Sequence, residues 1–311
     1  MRLEQAVFVF MIVFAVRAVF ASNLKHAIIS SSIFGLWASL AYLLFHAPDV
    51  AVSEAVVAST LGTVLLILAI RNYDDVTVPG IRRMVAHRLG VDLMVAATCM
   101  LVLFLTITLP AAVAPGALST AVMDTFAESG RQVNPVTSIL LHYRVFDTVL
   151  EALMLLIAVI GVMHLVEFGK VKPGIVQAEG YGLLSKRHPT IVKALQIVTP
   201  LLLILGLGII AGDPLTPGGG FQGAGLLAAV VVSRYLVGGV RAGRDTTALE
   251  ALEKLVFVVF VACVALYIFL GWRTTFAPEA YPAFMVAMNV LLGLKVFCGL
   301  SVMFLYFARE A

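Results

Sequence analysis

The sequence predicts an all-α, polytopic membrane protein with about nine transmembrane helices in three bundles of three, two and four. Hydrophobic residues make up 61% of the chain and charged residues 13%, whereas soluble domains have about 25% charged residues. The apolar residues form runs of about 20, the length that an α-helix needs to cross the hydrocarbon core. The predicted spans are residues 5–21, 27–45, 50–70, 91–113, 136–164, 192–211, 221–240, 255–271 and 283–307.

The basic residues predict how the chain is oriented. With the N-terminus outside, most of the 21 Lys and Arg residues fall in cytoplasmic segments, as the positive-inside rule requires. We therefore expect a multi-pass protein of the cell (inner) membrane whose N-terminus is outside and whose C-terminus is cytoplasmic. The net charge of +3 follows from this topology and does not indicate a nucleic-acid partner.

The first predicted block, residues 1–72, contains three helices and one unusual carboxylate. Pro48 and Asp49 suit a helix start, because proline is tolerated there and a carboxylate meets the positive end of the helix dipole. Glu54 follows about one and a half turns later, at a depth within the outer hydrocarbon. We expect Glu54 to serve an ion pathway; snorkelling to the surface or a structural pairing is the alternative.

The second block, residues 73–166, contains two helices and a polar stripe on the second of them. Arg144, Asp147 and Glu151 are spaced i, i+3 and i+7, which predicts one face of one helix. A charge near the bilayer centre costs at least ~2.5 kcal/mol on insertion scales, and the usual reason for accepting it is an ion or proton path. Arg144 and Asp147 can neutralise each other, which leaves Glu151 to take and release protons.

Two neighbours of this stripe are candidate relays. Thr148 lies beside the carboxylates and could hold a hydrogen-bonded water. His142 precedes Glu151 by about two turns, and a histidine can titrate near physiological pH. A satisfied interfacial histidine is the simpler interpretation of His142.

A basic linker, residues 167–193, leads to the third block, residues 194–311, with four helices. Its glycine-rich segment follows no strand and precedes no lysine, so it predicts a tight helix start and close helix packing instead of phosphate binding. Near the middle of the last span, Lys295 could be a relay or could pair with a carboxylate from another helix. The glycine-rich segment consists of Pro217, Gly218, Gly219, Gly220, Phe221, Gln222 and Gly223.

Together these stretches resemble known membrane subunits. Residues 48–57 and 134–151 resemble the D and E subunits of membrane-bound hydrogenases, and both modules also resemble the C-terminal part of the large A subunit of Mrp-type cation/proton antiporters. Residues 217–223 resemble the signature of the antiporter B subunit and of its counterpart in the hydrogenases, the F subunit. The sequence differs from this signature in two places. Ala211-Gly212-Asp213 precedes the motif where the family has histidines, and Ala224 replaces a second glycine.

The resemblance implies a membrane-arm subunit of a multisubunit complex related to respiratory complex I. It implies partners of three kinds: large antiporter-like pumping subunits, a small chain like the antiporter C subunit, and hydrogenase or other oxidoreductase subunits, all within membrane lipids. We expect no cofactor and no enzymatic activity in this chain, with Na⁺ as the transported ion. Cys99, Cys263 and Cys298 lie in separate apolar spans and predict packing residues, not a disulfide or metal site.

The leading hypothesis is a subunit of an Mrp-type Na⁺/H⁺ antiporter. Glu54, Asp147 and Glu151 occupy positions that the family implicates in cation translocation; Arg144 would set their charge balance and Lys295 would be a relay. The alternative is a non-conducting scaffold that joins antiporter-like subunits to an oxidoreductase, with the stripe as a structural ion-pair network. A self-contained secondary transporter ranks third, because no inverted repeat is evident. A hydrated cavity that touches Glu151 would favour transport, and a dry, fully paired cluster would favour the scaffold.

Overall fold

The computed structural model is almost entirely helical in the residues that it describes, which are 3–21, 23–70, 97, 100, 139–168, 189–212, 219–238, 246–269 and 281–310. Six helices in these ranges are long and apolar enough to cross a membrane. The predicted all-α, polytopic membrane fold is therefore confirmed. The predicted span 91–113 apart from residues 97 and 100, most of the linker 167–193, and Pro217 and Gly218 lie outside the described residues.

The first block is built from two α-helices and a third, composite span. Pro48 opens the composite span and Asp49 lies in its first turn, as a helix start requires. The middle of this span is π-helical, and we call that part the first π-segment. The elements are α1 (Leu3–Val19), α2 (Leu24–Leu44), α3 (Pro48–Ser53), the first π-segment (Glu54–Gly62) and α4 (Thr63–Ala69).

Side-chain hydroxyls form hydrogen bonds to backbone carbonyls within the first π-segment. Ser59 and Thr60 donate to the carbonyls five residues earlier, those of Glu54 and Ala55, at 3.0 and 2.8 Å. Ser32 of α2 donates to the Ser59 carbonyl at 2.7 Å, which ties α2 to the same turn. π-Helical turns within α-helices are rare and are frequent at functional sites. This one begins at the carboxylate that the sequence singles out.

The other two blocks contain a second, shorter π-helical stretch and five long helices. Pro200 lies inside the second of these helices. The elements are the second π-segment (Ile139–Tyr143), α5 (Val145–Phe168), α6 (Pro189–Ala211), α7 (Gly220–Gly238), α8 (Thr246–Phe269) and α9 (Tyr281–Glu310).

The core of the molecule is centred on α9. Helices α4 to α8 all pack against it. In its most apolar stretch of 18 residues, 67% is buried, whereas the corresponding share in α6 is 11%. At its C-terminal end, the Tyr235 hydroxyl of α7 donates to the Ala308 carbonyl at 2.9 Å. Because α9 contacts every block, it fixes where the polar residues of each block meet.

Candidate functional site

All three blocks line one cavity of about 500 Å³. Water occupies about 30 Å³ per molecule in the liquid, so this space is large enough for a group of water molecules or a partly hydrated ion. Its apolar walls include Val57, Met154 and Leu292. Its polar lining residues are Asp49, Ser53, Thr148, Glu151, Gln222 and Asn289.

The second block brings Thr148 and Glu151 to the cavity. The Thr148 side chain is buried, and its hydroxyl donates to the Leu140 carbonyl of the second π-segment at 2.8 Å. This bond fastens the start of α5 to the segment before it. Glu151 lies one turn further along α5 and keeps an exposed side chain. Its carboxylate is thus in the cavity wall without being sealed in the core.

The predicted single helix through the polar stripe is interrupted at Arg144. The Arg144 N–H donates to the Ile139 carbonyl, five residues earlier, at 2.8 Å, and the Asp147 N–H donates to the Arg144 carbonyl at 2.9 Å. Arg144 therefore sits on the bend between the second π-segment and α5, while Asp147 and Glu151 lie within α5. His142 belongs to the second π-segment, and its side chain lies outside the described part.

Arg144 and Asp147 form an ion pair at the surface of this chain. The Arg144 Nε lies 2.6 Å from Asp147 Oδ2, and the side chains are 66% and 45% exposed. The two predicted charges are thus adjacent and neutralise each other locally. Exposed pairs of this kind contribute about 0–1 kcal/mol to stability, so stability alone does not account for placing them here.

The first block contributes Asp49 to the cavity, and Glu54 is not part of the cavity lining. Glu54 faces α2: its Oε1 lies 2.9 Å from where a Cβ on Gly35 would stand, next to Ser59 Oγ. Asp49 lies in the first turn of a helix, as predicted. The sequence did not predict that Asp49 would also line the cavity. Asp49 and Glu54 are five positions apart in sequence, and this separation places the two carboxylates in different surroundings.

Gln222 connects the glycine-rich segment to the first block. Its Nε2 donates to Ser53 Oγ at 2.8 Å and to the Asp49 carbonyl at 3.3 Å. α7 packs closely against α9 at its start, next to Gln222. A Cβ added to Gly220 would lie only 2.6 Å from the Asn289 carbonyl oxygen, so a glycine is needed there. The segment therefore works as a helix contact beside the cavity.

Asn289 of α9 joins two helix ends at the cavity. Its Oδ1 accepts the Gly220 N–H at 2.6 Å, and its Nδ2 donates to the Ile210 carbonyl at 3.1 Å. The end of α6 and the start of α7 are held together through this one buried amide. The signal for it in the sequence is an asparagine within an apolar span, which the sequence-based prediction did not use.

Lys295 lies away from the cavity, in a buried ion pair. Its Nζ is 3.3 Å from Glu253 Oε1 of α8, and the two side chains are 0% and 1% exposed. The Phe257 ring centroid is 5.8 Å from the same Nζ. Glu253 was missed because the predicted span starts at residue 255, whereas α8 starts at Thr246. The sequence signal for this pair was a lysine within an apolar span that has no carboxylate near it on the same helix, which indicates a partner on another helix.

Two family models match the chain. Residues 9–75 match MbhD, the D subunit of MBH, and residues 191–305 match MnhB, a "Domain related to MnhB subunit of Na+/H+ antiporter". The uncharacterized protein MJ1307 of Methanocaldococcus jannaschii is 28% identical over 200 residues, which are 54% of this chain and 74% of that protein.

A solved structure has the same fold. A chain in the structure of the Mrp complex from Dietzia sp. DQ12-45-1b matches with a TM-score of 0.77 at 19% identity. The match covers 99% of this chain, which spans 35% of the length of that chain. The predicted D-like and B-like parts are confirmed by these comparisons, while the predicted borders at residues 72, 166 and 193 stay predictions.

Proposed function

We propose that this chain, an Mrp-type membrane subunit with a D-like and a B-like part, contributes the path of Na⁺ to a multisubunit cation/proton antiporter. The observation that carries the proposal is the cavity of about 500 Å³ that reaches Glu151 and is lined by all three blocks. A non-conducting scaffold needs no such space, because the charges of a structural ion-pair network need partners and not an open cavity.

The chemistry of the cavity suits a hard cation. Carboxylate, hydroxyl and amide oxygens are the ligands that such ions take in proteins, and the cavity offers them from Asp49, Glu151, Thr148 and Asn289. Ionisable groups inside membrane spans are rare, and ion pathways and proton relays are among the functions that they mark. Glu151 is the central residue of the proposal, since its exposed carboxylate can bind and release a cation without opening the core.

The remaining predicted residues take distinct places in this proposal. Arg144 and Asp147 form the exposed pair just outside the cavity and set the charge that an approaching cation meets. Glu54 faces α2, so a path that includes it continues between α2 and the first π-segment. Lys295 is paired with Glu253, so a relay role for it requires that buried pair to open. His142 remains a proposed relay.

The assembly is part of the proposal. The likeness to a chain of the Mrp complex supports other Mrp-type subunits as partners, including the large pumping subunits and a small C-like chain. These partners would supply proton transfer. A hydrogenase or other oxidoreductase in the same assembly would make the exchange redox-driven. The basic residues of the sequence support an N-terminus outside and a cytoplasmic C-terminus.

The test is Na⁺-dependent proton exchange in inverted membrane vesicles from cells that express the whole complex. Glu151→Gln keeps the shape of the side chain and removes its charge, and we expect most of the exchange to be lost. The matched control is Glu250→Gln on α8, because the Glu250 carboxylate accepts the Tyr306 hydroxyl at 2.9 Å and does not line the cavity.

Assembly is measured in the same vesicles by co-purification of the partner subunits. If the Glu151→Gln complex assembles and exchanges Na⁺ at the rate of the unmodified complex, the proposed path is wrong. That result would support the scaffold alternative. Loss of exchange together with loss of assembly would be resolved by Glu151→Asp, which should restore both the charge and part of the exchange.

A further inference from the structure

A second cavity lies between α6 and α7, far from the ion site. Its volume is about 520 Å³, and we call it the α6–α7 groove. Arg234 lies 14 residues beyond Gly220 on α7, which is about 20 Å along a helix from the first cavity. The groove is lined by Gln196, Thr199, Pro200, Leu203, Val230, Ser233, Arg234 and Val237.

Basic residues mark one end of this groove. The Arg234 side chain is exposed, and so is Lys193, which precedes Gln196 by three residues on α6 and so shares its face. Within the described part of the chain, neither Arg234 nor Lys193 forms an ion pair. The sequence predicts this end on the cytoplasmic side, where basic pockets between transmembrane helices bind anionic lipid headgroups.

The rest of the groove is apolar. Leu203, Val230 and Val237 form its walls, and the outer face of α6 is open, with Leu201 and Ile204 exposed by 55% and 65%. An acyl chain meets such a wall without any loss of hydrogen bonds. A non-helical polypeptide segment would leave backbone N–H and C=O groups against apolar side chains, which is costly at membrane depth.

Pro200 adds a backbone acceptor near the basic end. Because proline has no N–H, the carbonyl of Gln196 lacks the donor that an uninterrupted helix would supply four residues later. The neighbouring Thr199 hydroxyl already donates to the Leu195 carbonyl at 2.5 Å, so it does not fill this role. The groove therefore combines a cation, a carbonyl that lacks its α-helical donor and an apolar wall.

We propose that the α6–α7 groove binds one anionic phospholipid, with the phosphate at Arg234 and an acyl chain along Leu203 and Val230. The headgroup hydroxyls of a phosphatidylglycerol can donate to the Gln196 carbonyl. This lipid holds α6, which is the least buried of the candidate spans within the described residues, against α7. No residue of the groove lines the first cavity, so lipid binding here is independent of the proposed ion path.

The experiment measures lipid retention by native mass spectrometry on the full chain, purified in detergent with the subunits that accompany it. The probes are phosphatidylglycerol and phosphatidylcholine, with inorganic phosphate as competitor. We expect tighter binding of phosphatidylglycerol and no competition by phosphate. Arg234→Gln should weaken phosphatidylglycerol binding about fivefold, as expected for one basic residue at a lipid surface, and leave phosphatidylcholine unchanged.

Two further variants complete the test. Leu203→Trp, at a position that is 42% exposed, fills the groove and should reduce binding of both lipids. Lys254→Gln removes an exposed charge of α8 and should change neither. The proposal is overturned if Arg234→Gln and Leu203→Trp both bind phosphatidylglycerol as the unmodified chain does, or if phosphate displaces it. Glu151→Gln should keep lipid binding, which separates this inference from the ion path.

Discussion

Two ion pairs in this chain have similar chemistry and opposite surroundings. Arg144 and Asp147 are 2.6 Å apart with side chains 66% and 45% exposed, whereas Lys295 and Glu253 are 3.3 Å apart with side chains 0% and 1% exposed. The exposed pair can separate with little penalty, and it stands beside the cavity. The buried pair cannot, because each charge depends on the other. The difference separates charges that can part at the surface of the chain from charges that hold a helix contact.

The largest effect is expected from breaking the buried pair. Lys295→Met leaves Glu253 charged in the core, where the carboxylate has no other hydrogen-bond partner among the described residues. Removing one partner of a buried pair typically costs about 3–5 kcal/mol. Denaturant unfolding of the purified chain measures this loss, and a change below about 1 kcal/mol would show that the pair is not sealed.

Removing both charges together should recover most of that loss. In Glu253→Gln/Lys295→Met no unpaired charge remains, and replacing a buried pair by uncharged side chains is often neutral or stabilising. The same unfolding measurement on the double variant gives the coupling between the two positions. Exchange by the double variant then decides the relay role of Lys295, since a relay requires the lysine whereas a structural contact does not.

A smaller effect is expected at Asn289, which is buried but uncharged. Asn289→Ala removes the acceptor of the Gly220 N–H and the donor to the Ile210 carbonyl. Leaving a buried polar group without a partner costs about 1–3 kcal/mol. Val290→Ala, at the exposed neighbouring position, is the control and should unfold close to the unmodified chain. An equal loss in both variants would contradict the tethering role.

The smallest change in stability is expected at the exposed pair. Arg144→Gln should lower the free energy of unfolding by no more than about 1 kcal/mol, and it should still reduce Na⁺-dependent exchange in vesicles by exposing Asp147 as an unbalanced charge. A loss of stability as large as that of Lys295→Met would contradict the contrast between the two pairs. Unchanged exchange would remove Arg144 from the proposed path.

Composition and hydropathy were sufficient for the fold, because an apolar run of this length has few alternatives to a transmembrane helix. The i, i+3 spacing likewise predicted that Arg144 and Asp147 would meet. Local spacing does not predict which helices pack together, so it could not place Glu253 against Lys295. It also could not show that Asp49, and not Glu54, would line the cavity.

The helical bend at Arg144 marks a further limit of periodicity. A regular repeat of 3.6 residues predicts one unbroken α-helix through Arg144, whereas the turn before Arg144 is π-helical and α5 begins at Val145. The Thr148 hydroxyl donates to the Leu140 carbonyl of that turn, eight residues earlier. Periodicity does not predict such a contact.

The two π-segments also set the rotational phase of the helices that come after them. A π-turn closes over five residues instead of four, and one residue of α-helix turns the chain by about 100°. Wound as an ordinary α-helix, the same residues of the second π-segment, Ile139–Tyr143, would rotate α5 by about that angle. Glu151 would then leave the cavity although no side chain of α5 had changed. The π-turn therefore determines which face of α5 meets the cavity.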